Sequence, residues 1–296
     1  MGEARGIAYA VMSAACFAML PILGKLAFER GFGAAEIMQY RFGFGALLLL
    51  VWYAATDRAV LRIRRGTLLK TAFLGVGFYP AQSLCFMSAI EYIPAATASL
   101  ILYFYPLMVT LLSALVFKSR LNRIMVLSLG LLIAGCGLVF YDAFARDINS
   151  TGLVLALASM LIFSVYLVLV EVMLKGENPR TFSFYCLLSA ALAYTVMHPP
   201  LRFPQMDLTS QALTLGLGLI PTSLAVTLFF RAVECIGSAK ASICSTFEPI
   251  ITVIACALLL GESIAAVQVA GMALILAGIV LPNARALSLR RAFQRA

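Results

Sequence analysis

Residues 91–107 read EYIPAATASLILYFYPL, and residues 234–250 read ECIGSAKASICSTFEPI. At an offset of 143 positions the two stretches share Glu91/Glu234, Ile93/Ile236, Ala98-Ser99/Ala241-Ser242, Phe104/Phe247 and Pro106/Pro249. Extended outward, the same offset aligns Phe86–Leu138 with Phe229–Leu281 without a gap, and 16 of the 53 pairs are identical. Composition alone would give roughly five or six. A weaker match at an offset of 146 pairs Ala10, Ser13 and Phe17 with Ala156, Ser159 and Phe163. The chain reads as two copies of one unit, and a repeat of this length decides the architecture before any single residue is interpreted.

What the unit is made of follows from composition. Of 296 residues, 62% are apolar and 12% are charged. That is too little charge to coat a water-facing domain of this size, so the surface must face lipid. Apolar runs fall at about 6–28, 35–55, 68–90, 95–117, 122–141, 151–174, 182–197, 209–233, 238–260 and 264–283. Ten spans of about 20 residues need roughly 200 residues, which leaves loops and ends but no soluble domain in the remainder. The seventh run is the shortest and stops at His198-Pro199-Pro200. The first follows Met-Gly-Glu-Ala-Arg and is longer than a signal-peptide core, so it is expected to remain as an uncleaved span.

Charge tests the count. With the N-terminus in the cytoplasm and ten spans, 17 basic residues fall inside and five outside (Lys25, Arg30, Arg41, Arg146 and Arg202), as the positive-inside rule requires. Nine spans would put the Arg-rich tail outside. Because five is odd, the second copy enters the membrane from the opposite face. The expected fold is therefore an all-α integral membrane protein of ten transmembrane helices, built as two inverted five-helix repeats with both termini cytoplasmic. The repeats are placed at 1–145 and 146–283, with a basic cytoplasmic tail at 284–296. The net charge of +9 is absorbed by topology, so no nucleic-acid partner is expected. Seven cysteines without a CxxC pair and the lone His198 give no ligand spacing, so neither metal nor cofactor is expected.

The motif Ala98-Ser99 … Tyr105-Pro106, its second copy Ala241-Ser242 … Phe247-Glu248-Pro249-Ile250, the following Leu260-Gly261-Glu262 and a span ending Leu276-Ala277-Gly278 resemble the EamA family of the drug/metabolite transporter superfamily. Arg41-Phe42, opening the second span, fits the same pattern. The resemblance covers about 270 residues, and within the family the chain is most similar to the YddG-type amino-acid exporters. It implies export of amino acids and related amphiphilic metabolites across the cytoplasmic (inner) membrane. Two departures stand out: Phe117-Lys118-Ser119-Arg120 replaces the Gly-Glu motif in the first copy, and Tyr105 stands where the second copy has Glu248.

Four prolines interrupt spans near mid-depth: Pro80, Pro106, Pro221 and Pro249. Each removes the bond to the carbonyl four residues earlier, namely Val76, Leu102, Leu217 or Ser245, which is tolerated where the backbone meets another helix or a wet cavity. They read either as packing kinks or as hinges around a central site. Polar side chains share that depth. The candidate substrate-binding set is Tyr79, Gln82, Ser99, Tyr103, Thr222, Ser245, Thr246 and Glu248. Serine and threonine can instead bond back to their own helix. Glu248 is the only acidic residue near the centre of a span; a carboxylate there costs about 2.5–3.5 kcal/mol unless it faces a cavity or is protonated. It would bind a substrate ammonium or a proton, or act as a structural acceptor. Lys25, Arg30, Glu36 and Arg41 lie near the outer ends of the first two spans, where snorkelling and local ion pairs are the default reading and an outer gate the alternative. The small-residue rows around Gly135 and Gly278 fit either packing between repeats or dimerisation, and a monomer is the expectation.

These residues point to a secondary transporter working by alternating access on a small-molecule substrate, with helices 3, 4, 8 and 9 around the site. The alternatives are a membrane channel and a membrane enzyme. A channel needs a continuous polar path, and an enzyme needs a nucleophile with its base, which one loop histidine and one central carboxylate do not supply. No G-x-x-x-x-G-K-[ST] loop is present for ATP.

Overall fold

The computed structural model describes residues 2–105, 107–109, 111–112, 123–145, 149–198, 203–236, 241, 244–245 and 247–293. All regular structure among them is helical. Ten segments follow one another: α1 (Gly2–Glu29), α2 (Ala34–Thr56), α3 (Arg65–Tyr92), α4 (Ala95–Leu102, resuming as far as Val109), α5 (Arg123–Ala145), α6 (Ser150–Met173), α7 (Pro179–Met197), α8 (Leu208–Ile236), α9 (Glu248–Leu260) and α10 (Ala266–Phe293). Short 3₁₀ turns, Arg58–Leu61 and Phe203–Gln205, join some of them. Helices α1, α2, α3, α6 and α8 are long and apolar enough to cross a membrane by length and composition.

The seventh run, the shortest in the sequence, forms a 19-residue helix. Its start is fixed locally. The Asn178 side chain accepts from the Arg180 and Thr181 N–H groups, and Pro179 occupies the first turn, where its missing donor does no harm. Asn149 and Asp207 cap α6 and α8 in the same way. The bundle surface is apolar all round: Leu47, Val51, Leu69, Leu192, Val196 and Leu258 are exposed. Such a surface is satisfied by lipid.

The halves pack by exchange. Helix α1 lies against α8 and α9, and its repeat mate α6 lies against α3 and α4; α2 packs on α8, and α7 on α3. The remaining large contacts, α2 with α7 and α5 with α10, join repeat mates to each other. Among the described residues these contacts between the halves come in matched pairs, as duplicated repeats would give. Glycines allow the tightest crossings. A Cβ at Gly218 would collide with Phe44 and the Gly45 backbone on α2, and one at its mate Gly75 would collide with Cys186 and Ser189 on α7. Gly135 and Gly278 do the same between α5 and α10, where a Cβ would come within 2.6 Å of the Gly271 carbonyl or 2.8 Å of the Ser128 carbonyl. Both these glycines therefore serve packing between the repeats.

Candidate functional site

Both α3 and α8 widen into a π-helical turn, at Leu74–Phe78 and Leu219–Leu224. The prolines are the local cause, because the ring displaces the carbonyl it can no longer bond. On α8 the consequences are visible atom by atom. The Thr222 hydroxyl donates to the Leu217 carbonyl at 3.2 Å, the group that Pro221 leaves without its helical partner. Ser223 donates to Gly218 at 2.9 Å and also lies 3.1 Å from the Gly45 carbonyl of α2. On α3 the Pro80 carbonyl accepts from Tyr194 of α7 at 3.1 Å. On α8 the freed carbonyl is therefore satisfied within the protein.

Helices α4 and α9 break at equivalent residues. In α4 the helix ends at Leu102, turns through Tyr103 and Phe104, and resumes; in α9 a turn at Phe247, the mate of Phe104, precedes the helix that starts at Glu248. Pro249 stands in the first turn of that half-helix. Its partially positive N-terminus therefore points at the middle of the bundle with Glu248 upon it. Tyr103 donates its hydroxyl to Glu248 Oε1 at 3.0 Å and lies 3.2 Å from Thr252 Oγ1. Tyr103 and Thr252 are buried, whereas Glu248 is half-buried. A carboxylate that is bonded on one side and still open on another is placed to receive a donor.

A chain of aromatic rings starts two residues beyond Tyr103, at Tyr105. The Tyr105 ring meets Phe163 edge-on at 5.0 Å, Phe163 stacks on Tyr166 at 6.1 Å, and Tyr166 stacks on Tyr79 at 5.5 Å. These four rings are each partly accessible. Together they form a partly accessible aromatic surface, of a kind suited to apolar or aromatic groups.

The two ends of the bundle are tied differently. At the end that the charge count assigns to the cytoplasm, Lys70 pairs with Glu177 at 2.9 Å while Thr67 donates to the same carboxylate, and Arg180 pairs with Asp57 and Glu234. The hydrogen bonds from Thr67 and Lys70 hold the Glu177 carboxyl below the usual carboxylate range. At the opposite end Gly261 closes α9 in the left-handed region (φ 67°), where a Cβ is disfavoured. The chain then delivers Glu262 to the start of α4, where it accepts from the Ala95 and Ala96 N–H groups at 2.7 and 3.0 Å. A carboxylate from one repeat thus caps a broken helix of the other. Also at this end, hydrogen bonds to Ser210 together with Arg30 hold the Asp207 carboxyl low.

The structure sorts the candidate residues. Tyr103 and Glu248 are brought into contact, and Tyr79 joins the aromatic wall. Gln82 is buried and donates to Ser159 at 3.0 Å, a contact between α3 and α6 whose mate is Ser13 donating to the Ala225 carbonyl. Ser99 donates to the Ala95 carbonyl and Ser245 to the Ala241 carbonyl, each within its own helix. Thr222 serves the Leu217 carbonyl. Pro80 and Pro221 adjoin the π-turns and Pro249 the α9 break; Pro106 and Thr246 lie outside the described residues. Sequence reasoning missed Tyr105, Phe163 and Tyr166, and it took Arg41 for a snorkelling side chain. Arg41 is 6% exposed: its Nε donates to Thr222 at 3.3 Å, and its guanidinium sits 5.1 Å from the Phe42 ring centre. As the eighth residue of α2 it lies about 10 Å from the helix start, a position from which a long side chain can run either way.

A family profile described as the EamA-like transporter family matches residues 4–141 and 150–283. An uncharacterized transporter of Haemophilus influenzae is 28% identical over 198 residues, covering 65% of this chain and 64% of the relative. The uncharacterized transporter YwfM of Bacillus subtilis is 26% identical over 86% of this chain and 83% of its own length. A protein of Streptantibioticus cattleyicolor, named a probable terminal-alkyne amino-acid exporter, is 24% identical over 88% of each. A solved crystal structure of 18% identity superposes with a TM-score of 0.66 over 97% of this chain and 99% of its own, a likeness of fold alone.

Proposed function

The chain belongs to the EamA-like transporter family, a family of transporters and not of enzymes, and on that premise we propose that it exports amino acids by alternating access. The observation that carries this reading is the central one. A half-buried carboxylate, Glu248, starts a half-helix and is bonded to Tyr103 of the other broken helix, two residues before Tyr105, where a chain of tyrosine and phenylalanine rings begins. Glu248 would accept the substrate ammonium, and the wall of Tyr79, Tyr105, Phe163 and Tyr166 would take an apolar or aromatic side chain. Protons would compete for the same carboxylate.

The motion has natural places to occur. Breaks in α4 and α9 and π-turns in α3 and α8 would act as hinges, with Pro80, Pro106, Pro221 and Pro249 fixing their positions. Ties at both ends would then make and break in turn. The topology that fits is two inverted repeats at 1–145 and 146–283, with both termini and the basic tail 284–296 in the cytoplasm. The working unit is a monomer in the inner membrane, supported by the use of Gly135 and Gly278 within one chain. The relative named as a probable amino-acid exporter gives independent support for the substrate class.

Purified protein in proteoliposomes, loaded with an unlabelled aromatic amino acid and offered labelled amino acid outside, tests the reading. Saturable accumulation by counterflow is expected. Conduction without saturation would replace the carrier with a channel, and no uptake for any amino acid would remove the substrate class.

A further inference from the structure

Resting on that reading, we infer that Arg41 is a carboxylate-binding station, distinct from Glu248 and built from α2 and α8. A guanidinium offers five N–H donors and a charge that cannot be removed by deprotonation. In this structure it meets neutral partners: the Thr222 hydroxyl at 3.3 Å, the Met38 sulfur at 3.8 Å and the Phe42 ring face. Among the described residues it makes no ion pair, although Arg30, Lys70, Arg180 and Arg231 all do. A cation this deep in an apolar helix and 94% covered is expensive to leave so thinly compensated. An anion that arrives during the transport cycle supplies the missing partner.

The surroundings say which anion. The fork of a guanidinium matches a carboxylate with two parallel hydrogen bonds. The ring chain that begins at Tyr105, two residues beyond the Glu248 partner Tyr103, continues past Tyr79 to Phe42, edge-on at 5.1 Å, and so reaches Arg41. Phe42 also stacks on Tyr194. One negative and one positive pole are therefore joined by an aromatic surface, the arrangement that a zwitterion with an apolar side chain can follow in steps. Thr222 orients the fork: it accepts from Arg41 while donating to the Leu217 carbonyl, so the π-turn of α8 sets where the guanidinium points. A shift in that turn would expose or cover the charge.

Thermal shift on the detergent-purified protein separates the two poles with two probes, 3-phenylpropionate (carboxylate alone) and phenethylamine (ammonium alone). Wild type is expected to be stabilised by both. Arg41→Gln should bind 3-phenylpropionate at least tenfold more weakly and keep its response to phenethylamine, whereas Glu248→Gln should do the reverse. Thr222→Val, which keeps the charge and loses its orientation, should weaken 3-phenylpropionate several-fold. No stabilisation of wild type by 3-phenylpropionate overturns the inference without any variant, as does an equal response in wild type and Arg41→Gln. No stabilisation of wild type by phenethylamine, with the 3-phenylpropionate response intact, would count against the Glu248 site and leave the Arg41 station standing.

Discussion

Helices α4 and α9 are repeat mates that share a backbone and differ in chemistry. Both break at the same register, Phe104 and Phe247, and both are built from a Ser-x₆-Pro frame whose prolines are Pro106 and Pro249. Yet α9 carries Glu248 where α4 carries Tyr105, and Tyr103 faces the carboxylate in place of a second one. Both copies keep the interruption, because it is a property of proline and helix geometry. The charge exists once, and a matching carboxylate on α4 beside the first would raise the electrostatic cost of both. The lesson is that the proline frame is shared by the two copies while the central carboxylate is not.

The largest expected effect comes from removing the unmatched group. Glu248→Gln should lower the specificity constant for an amino acid by about 10- to 100-fold, the size of a lost charged hydrogen bond of about 1.5–3 kcal/mol, with expression unchanged. Tyr103→Phe, which leaves the carboxylate and removes one donor, should cost about tenfold in the same transport assay. Tyr105→Phe keeps the ring and should change little; a loss as large as that of Tyr103→Phe would erase the distinction between the two tyrosines.

Symmetry itself is broken at the glycines. Gly75→Leu and Gly218→Leu each insert a side chain into a helix crossing already at contact, and each should destabilise by about 1–3 kcal/mol, read as a lower melting midpoint in detergent. The account expects the two losses to be alike, since the crossings are mates. A smaller effect belongs to Glu262. Glu262→Gln removes the charge that caps α4 and should lower the transport rate several-fold, while Ser119, its mate, is replaceable.

The smallest effect concerns pH. Glu177 titrates below its unfolded value of roughly 4.3, so its contribution is present above that pH and is lost as pH falls through the lower folded value. The melting midpoint should therefore be flat near neutrality and drop only in acid, and Glu177→Gln should flatten that acid limb. The group is partly buried at the bundle end and its partner Lys70 is more open, so salt should reduce the effect.

Much of this was legible before any coordinate. Period, proline positions and the single central carboxylate are written in residue types, and the five-helix unit follows from spacing. The partner of each polar group was not. Ser99 and Ser245 share a face with Tyr103 and Glu248 in projection, but a serine hydroxyl on a helix has its own carbonyl four residues back within reach, and both took it. Gln82 was drawn to Ser159 by packing between α3 and α6, a contact that only the folded repeat creates. Arg41 was misread because position along a span does not say whether a long side chain runs out to the interface or in to Thr222. The Gly-Glu motif was visible, but its target, the first amides of α4, lies 166 and 167 residues away in sequence.

One measurement tests the central claim most directly: counterflow of a labelled aromatic amino acid in proteoliposomes, run side by side with wild type and Glu248→Gln at equal reconstituted protein. The account predicts saturable exchange by wild type and at least a tenfold loss in the variant. Exchange by Glu248→Gln at the wild-type rate and affinity would contradict it.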